Sequence, residues 1–348
     1  MNAARRALSE RLLGAGERMT AVHVVNAVSC EPDDTFGRGA FHARVFDLTE
    51  RLGARVIGAT VYEMRAGEKL GPYHFHHGVE EWLYVVSGAP LLRDPDGERT
   101  LEPGELVAFS SGPAGAHTTH GPGRVVMFSA GDRGWGEAFV SVYPDSDKIA
   151  AAPGVMFRRA DAIDTWLSDA SEAPAAMGHQ RPPSGPGNSA INLMTASLES
   201  PPAQGSRDGD TVRKATLGPR LGAQTWTATL YELAPGEATA AYHYEWCREE
   251  WALVVDGAPT LRHADGQTML SACDICCFPQ GPTGAHQLRN DSEEPARLIV
   301  FSTSTDRPMS AFYPDEDTVR IYISDREQLR FRHEDRIEDY WDGEPGAT

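Results

Sequence analysis

A long internal repeat constrains this chain more than any single motif does. The segment Leu52-Gly-Ala-Arg-Val-Ile-Gly-Ala-Thr-Val-Tyr-Glu63 returns 169 residues later as Leu221-Gly-Ala-Gln-Thr-Trp-Thr-Ala-Thr-Leu-Tyr-Glu232. The same offset carries Tyr73-His74 onto Tyr242-His243, Glu80-Glu81-Trp82 onto Glu249-Glu250-Trp251, and Gly112-Pro-Ala-Gly-Ala-His117 onto Gly281-Pro-Thr-Gly-Ala-His286. After small insertions, Tyr143-Pro-Asp145 is echoed by Tyr313-Pro-Asp315 and Phe157-Arg158 by Phe331-Arg332. A repeat this long is one structural unit made twice. Two domains are expected, at residues 20–172 and 186–345, which also suits a chain of 348 residues. Residues 173–185 read as the linker, because Gly178-His-Gln-Arg-Pro-Pro-Ser-Gly-Pro-Gly187 is dense in glycine and proline. Pro201 to Asp210 reads as a surface loop within the second repeat.

Within a repeat the pattern is of short β-rich runs closed by turns. Val56 to Met64, Glu81 to Val86, Leu106 to Phe109 and Arg124 to Ser129 are expected strands, with Asp94-Pro-Asp-Gly97 as a turn. Helix is expected only near the N-terminus, where Leu8, Leu12 and Leu13 alternate with Arg5, Arg6 and Arg11, and around Ala160 to Ser168. The expected class is all-β, with two tandem antiparallel barrels or jelly rolls and a short N-terminal helix.

Charge narrows the partners. Fifty acidic residues against 32 basic ones give a formal charge of -18, which repels nucleic acid and anionic lipid surfaces alike. The N-terminus shows no apolar run of signal-peptide or membrane-spanning length, so a cytoplasmic location is expected. Of five cysteines, four (Cys247, Cys273, Cys276, Cys277) lie in the second repeat, and the Cys273-Asp-Ile-Cys276-Cys277 run lies inside an apolar strand pattern without a second pair at a zinc spacing. Buried thiols are the better reading.

The residues that carry chemistry are His74, His76, Glu81 and His117. On a strand His74 and His76 share a face, and the strand opening at Glu81 sends Glu81, Leu83 and Val85 one way and Trp82, Tyr84 and Val86 the other. A carboxylate facing an apolar lumen is costly to bury ionised unless a cation meets it. His117, after a glycine- and proline-rich turn, returns one more imidazole towards the same space. Such a set suits a divalent transition metal, iron, manganese, nickel, zinc or copper, with iron or manganese favoured. Tyr73, His77, Trp82, Arg93 and His120 surround it in sequence. Tyr73, Arg93 and above all His120 are the acid/base or substrate-contact candidates, and packing explains Trp82 and its counterpart Trp251 better than catalysis does.

These residues resemble the motifs of the cupin superfamily, G(X)5HXH(X)3,4E(X)6G and G(X)5PXG(X)2H(X)3N. Gly67 to Gly88 matches the first, with one extra residue before His74. The second is looser: Pro113-Ala-Gly115-Ala-His117 is one residue short, and Gly121 stands where asparagine is usual. The resemblance covers both halves, so the chain looks like a bicupin, a pair of double-stranded β-helix barrels. It implies that His74, His76, Glu81 and His117 are the metal ligands of the first barrel. In the second, His243, Glu250 and His286 match three ligand positions, Glu245 replaces the second histidine, and Asn290 keeps the motif's asparagine. That altered set is either a second, carboxylate-rich metal site, a vestigial pocket, or one in which Glu245 meets an arginine.

What the resemblance implies for function is a metal-dependent oxidoreductase of the dioxygenase type acting on a small organic substrate. The alternatives are an isomerase or decarboxylase that uses the ion as a Lewis acid, and a non-catalytic small-molecule binder. Barrel edges leave a homodimer and a monomer that imitates one equally open.

Overall fold

The structure is a computed structural model that describes residues 24–131, 140–152, 155–162, 188–199, 212–303, 309–324 and 327–337. The expected N-terminal helix, the linker, the loop over 201–210 and residues 163–168 of the second expected helix lie outside the described residues. Residues 159–161 form a single 3-10 turn.

The first repeat runs β1 Val24–Asn26, β2 Asp34–Arg38, β3 Phe41–Asp47, α1 Leu48–Arg51, β4 Gly58–Met64, β5 Phe75–His77, β6 Val79–Gly88, β7 Leu91–Asp94, β8 Gly97–Thr100, β9 Glu105–Phe109, β10 Thr118–His120, β11 Gly123–Gly131, β12 Val140–Tyr143, β13 Lys148–Ala152 and β14 Val155–Arg158. The second runs β15 Ser189–Asn192, β16 Arg213–Thr216, β17 Trp226–Leu233, β18 Tyr244–Glu245, β19 Glu250–Asp256, β20 Thr260–His263, β21 Gly266–Met269, β22 Asp274–Phe278, β23 His286–Arg289, β24 Ala296–Thr303, β25 Met309–Tyr313, β26 Thr318–Ser324 and β27 Glu327–Arg332. Among the described residues every strand–strand ladder is antiparallel. The one-turn helix α1 was not legible in the sequence; Asp47 caps it by accepting from Thr49 N at 2.7 Å.

Each repeat packs a large sheet over two smaller ones. In the first, the order β15-β9-β6-β11-β4-β3-β2 faces β10-β7-β8 and β14-β13-β12-β5; in the second, β1-β22-β19-β24-β17-β16 faces β21-β20-β23 and β18-β25-β26-β27. The outermost members are exchanged. β1, from the first repeat, pairs with β22, while β15, from the second, pairs with β9. The matching is close: Asn26 Nδ2 donates to Ala272 O at 3.0 Å and Asn192 Nδ2 to Pro103 O at 3.1 Å. The expected division at 20–172 and 186–345 is thus crossed by both large sheets, each of which is finished by a strand of the other repeat.

Strand alternation sorts the side chains as the sequence pattern predicts. Leu83 and Val85 join Met64, Leu92, Val107, Phe109 and Met127 inside the first barrel. Trp82, Tyr84 and Val86 point outward from it, into the apolar cluster shared by the two repeats. There Trp82 stacks on Trp226 with ring centroids 4.8 Å apart, and Phe128 meets Phe301 edge-on at 4.9 Å. Burial at this seam, rather than within either barrel alone, joins the halves. Cys276 belongs to the second barrel's interior and Cys277 to the shared cluster. All five cysteines are free thiols.

Candidate metal centre

Four segments deliver the first donor set. His74 precedes β5 and exchanges backbone hydrogen bonds with His117 (3.1 and 2.8 Å), which locks two ligands side by side. His76 lies within β5, and Glu81 lies in β6 just past the turn at Gly78, whose φ of 81° suits glycine. The Glu81 Oε2 atom is 3.2 Å from His76 Nε2 and 3.6 Å from His117 Nε2. Bonds of about 2.1 Å to one ion place neighbouring donors about 3 Å apart, so these spacings fit a shared cation.

The outer partners point the same way. Nδ1 of His74 donates to Pro72 O at 2.8 Å and Nδ1 of His117 to Gly115 O at 2.9 Å, which leaves both Nε2 lone pairs free for a metal. His76 Nδ1 meets Ser141 Oγ at 2.8 Å, and Glu81 Oε1 accepts from Ser129 Oγ at 3.0 Å. Phe109 stacks on the His117 ring at 3.7 Å and fixes its plane. Burial holds His117 neutral, its pKa pushed down to about 3, and lowers that of His74 as well. Burial would raise Glu81, but His76, His117 and His74 outweigh it and hold the carboxyl well below the usual range. Burial likewise opposes protonation of His76, and the charge and hydrogen bond of Glu81 overcome it. Neutral His74 and His117 and an ionised Glu81 are the forms a divalent ion requires, and an ion bound there would displace the proton that Glu81 favours on His76.

A cavity of about 180 Å³ opens onto His74, Glu81 and His117; its other walls include Phe36, Tyr62, Leu70, Met127, Tyr143 and Thr119. Burial raises the Tyr62 and Tyr143 hydroxyls, Tyr62 to about 12, so both stay protonated.

The second repeat reproduces the frame with altered donors. His243 and His286 Nε2 each lie 3.7 Å from Glu250 Oε2, and their Nδ1 atoms meet Ala241 O at 2.9 Å and Gly284 O at 2.8 Å. Glu245 is buried with its Oε2 unpartnered. Burial raises both carboxyls, and the charge of Glu250 raises Glu245 further, while the Arg248 guanidinium pulls both the other way. Arg248 stands where the first repeat has Val79.

Residues 60–131 and 229–302 each match the cupin domain family. The chain is a bicupin. Solved structures are similar to it at low identity. A cupin-superfamily sugar phosphate isomerase from Silicibacter pomeroyi is 24% identical with a TM-score of 0.37, covering 42% of this chain and 93% of that one. Oxalate decarboxylase from Bacillus subtilis is 13% identical with a TM-score of 0.46, covering 84% of this chain and 81% of that one. No curated protein matches the chain.

The bicupin brings His74, His76 and Glu81 together, with His117 beside Glu81, and brings His243, Glu250 and His286 together in the second repeat, where Glu245 is buried and feels the charges of Glu250 and His243. It does not bring Tyr73, Arg93 or His120 to the cavity wall. Arg93 lies over the Tyr73 ring at 4.2 Å and forks onto Asp145 at 2.6 and 3.0 Å. Arg262, Tyr242 and Asp315 repeat this clamp, which ties β7 to the turn after β12 and its counterpart β20 to the turn after β25. A duplicated, self-satisfied trio explains Tyr73 and Arg93 as structure. His120 faces Lys69 on the barrel rim, and burial followed by the Lys69 charge lowers its pKa. Gly121 replaces the motif's asparagine because any Cβ there would fall 2.3 Å from Arg65 O.

Sequence reasoning missed Ser141, Tyr143 and Thr119. Tyr143 stacks on His74 at 5.7 Å, as Tyr313 does on His243 at 5.6 Å. The repeat of Tyr143-Pro-Asp145 in Tyr313-Pro-Asp315 was the available signal. Thr119 carried none.

Proposed function

We propose that the bicupin is a metal-dependent oxidoreductase of the dioxygenase type, with its chemistry in the first barrel and a small, uncharged organic substrate. The observation that carries this reading is the cavity wall: beyond the metal-facing His74, Glu81 and His117 it is aromatic, aliphatic or hydroxylic, with neither lysine nor arginine among its lining residues. Among the described residues, a substrate phosphate would meet no lysine or arginine there. An apolar cavity of about 150 Å³ accommodates benzene, so this one suits a single substituted ring or a molecule of that size.

The donor set fits a divalent ion on the chemistry of its residues, three imidazoles and an ionised carboxylate whose Oε2 lies 3.2 Å from His76 Nε2 and 3.6 Å from His117 Nε2. Three nitrogens and one oxygen leave about two positions on a six-coordinate ion, and a redox-active ion there would supply electron transfer between substrate and dioxygen. The chain's own residues do the rest. Phe36, Leu70 and Met127 exclude water from the substrate's apolar body. Thr118 Oγ1 is committed to Gly71 O at 2.6 Å, whereas Thr119 Oγ1 is buried without a partner and is available to a substrate oxygen.

A Lewis-acid isomerase or decarboxylase is the second reading, favoured by Tyr143, whose protonated phenol stands at the cavity wall as a proton donor. Oxygen consumption separates the two. The oxidoreductase reading expects substrate-dependent oxygen uptake in iron-loaded protein, lost in His76→Ala. Turnover that continues undiminished under argon supports the second reading instead, and ligand binding without turnover in either atmosphere leaves a binding protein.

A further inference from the structure

We infer that Glu80 and Glu249 are positioning residues for the metal-ligand carboxylates beside them, so that each barrel's ligand is held in register by the other barrel. This rests on the reading of His74, His76, Glu81 and His117 as a cation site.

Glu80 and Glu249 are almost fully buried carboxylates, 2% and 1% exposed, that serve neither donor set. Alternation along the strand turns Glu81 into the first barrel's lumen and Glu80 out of it, across the seam. There Glu80 accepts from Gln224 N at 2.9 Å, Thr225 N at 3.1 Å and Thr225 Oγ1 at 2.7 Å. Glu249 returns the contact, accepting from Arg55 N at 2.6 Å, Val56 N at 3.2 Å, Ile57 N at 3.0 Å and, within its own repeat, Trp251 Nε1 at 3.0 Å. Gln224 and Thr225 are the repeat equivalents of Arg55 and Val56, so the two latches are related by the same symmetry as the barrels. Charged acceptors on backbone donors in a buried setting are among the stronger hydrogen bonds, and each loop loses its partners if the carboxylate goes.

The latches sit where the ligand-bearing strands are least supported. Pairing of β6 with β9 begins at Glu81, so at Glu80 the strand is bonded only to β11. In the second repeat Glu249 precedes β19, whose pairing begins at Glu250. The peptide that carries each metal-ligand carboxylate is therefore fixed on one side by its barrel's ladder and on the other by a grip on the neighbouring barrel. Ligands displaced by fractions of an ångström lose metal affinity, and outer partners of metal ligands are worth about 10- to 100-fold in it.

The test titrates cobalt(II) into the full-length, metal-free chain, with His286→Ala silencing the second donor set, and reads affinity and the visible absorption spectrum. Glu80→Gln should weaken cobalt binding about tenfold or more and shift the spectrum. Thr225→Val, a milder change in the second barrel, should weaken it several-fold at the first barrel's site. Phe128→Leu, which loosens the shared apolar cluster without touching a latch, should lower the melting temperature and leave the spectrum alone. An unchanged affinity and spectrum in both Glu80→Gln and Thr225→Val overturns the inference while leaving the metal site standing, as does an equal effect from Phe128→Leu. Failure of the parent to take up cobalt overturns the metal reading and the inference with it.

Discussion

Ser141 Oγ lies 2.8 Å from Nδ1 of His76, and in the second repeat both partners have changed together: Ala311 stands opposite Glu245. A histidine ligand needs an acceptor or donor for its second nitrogen, whereas a glutamate needs none at that place, so the hydroxyl stands in the repeat that has the imidazole and not in the one that has the carboxylate. Ser141 thereby belongs to the first site's metal chemistry, although it touches no metal position itself. Ser141→Ala should weaken metal binding in the first barrel by about tenfold with little loss of folding stability. Competition against a chromophoric chelator checks the affinity, and a denaturant melt of the metal-free protein checks the rest.

Ligand substitutions should separate the two barrels. His76→Ala removes a donor from the first set alone, and Glu245→Ala removes one from the second alone. Elemental analysis of protein purified under reducing, oxygen-free conditions should show His76→Ala losing the metal of the first barrel, with Glu245→Ala retaining it. Equal losses in the two variants would contradict the assignment.

The buried carboxyl pair of the second barrel gives a pH dependence with a definite sign. Burial, then the charge of Glu250, pushes Glu245 up to about 8, so the folded, metal-free protein keeps a proton that the unfolded chain releases in the usual carboxylate range, near 4.5. The resulting stability is present in full below about pH 4.5 and is lost as the pH rises through about 8. Glu245→Gln carries no such proton. Its stability relative to wild type should therefore rise between pH 5 and about 8 in urea melts with chelator present.

Thr119 offers a cleaner probe of the cavity than any ligand does. Its Oγ1 is buried and unpartnered, so Thr119→Val removes a polar group that folding leaves unsatisfied. The melting temperature should hold or rise slightly. If the hydroxyl meets substrate, KM rises about 3- to 10-fold, the equivalent of one ordinary hydrogen bond, with kcat little changed. Steady-state kinetics with an intact KM would remove Thr119 from the binding site.

Unfolding should be shared by both repeats. Because β1 and β15 are exchanged and Trp82, Trp226, Phe128 and Phe301 form one cluster, neither barrel keeps its packing without the other. Trp226→Ala should cost about 3–5 kcal/mol and shift a single calorimetric transition rather than melt one repeat early. Two separated transitions would show that the halves are independent.

The sequence by itself determined the duplication, the strand alternation of Glu81 to Val86 and the meeting of His74 and His76 with Glu81 and of His243 and His286 with Glu250, because repeats, period-2 patterning and ligand spacing are local properties that survive in one dimension. Tertiary structure alone decided the exchange of β1 and β15, the Glu80 and Glu249 latches, and the turning of Tyr73 and Arg93 to Asp145 instead of the cavity. Each of those depends on which distant backbone groups meet a side chain. A carboxylate such as Glu80 reads as surface charge until folding brings the N–H groups of Gln224 and Thr225 within hydrogen-bonding reach.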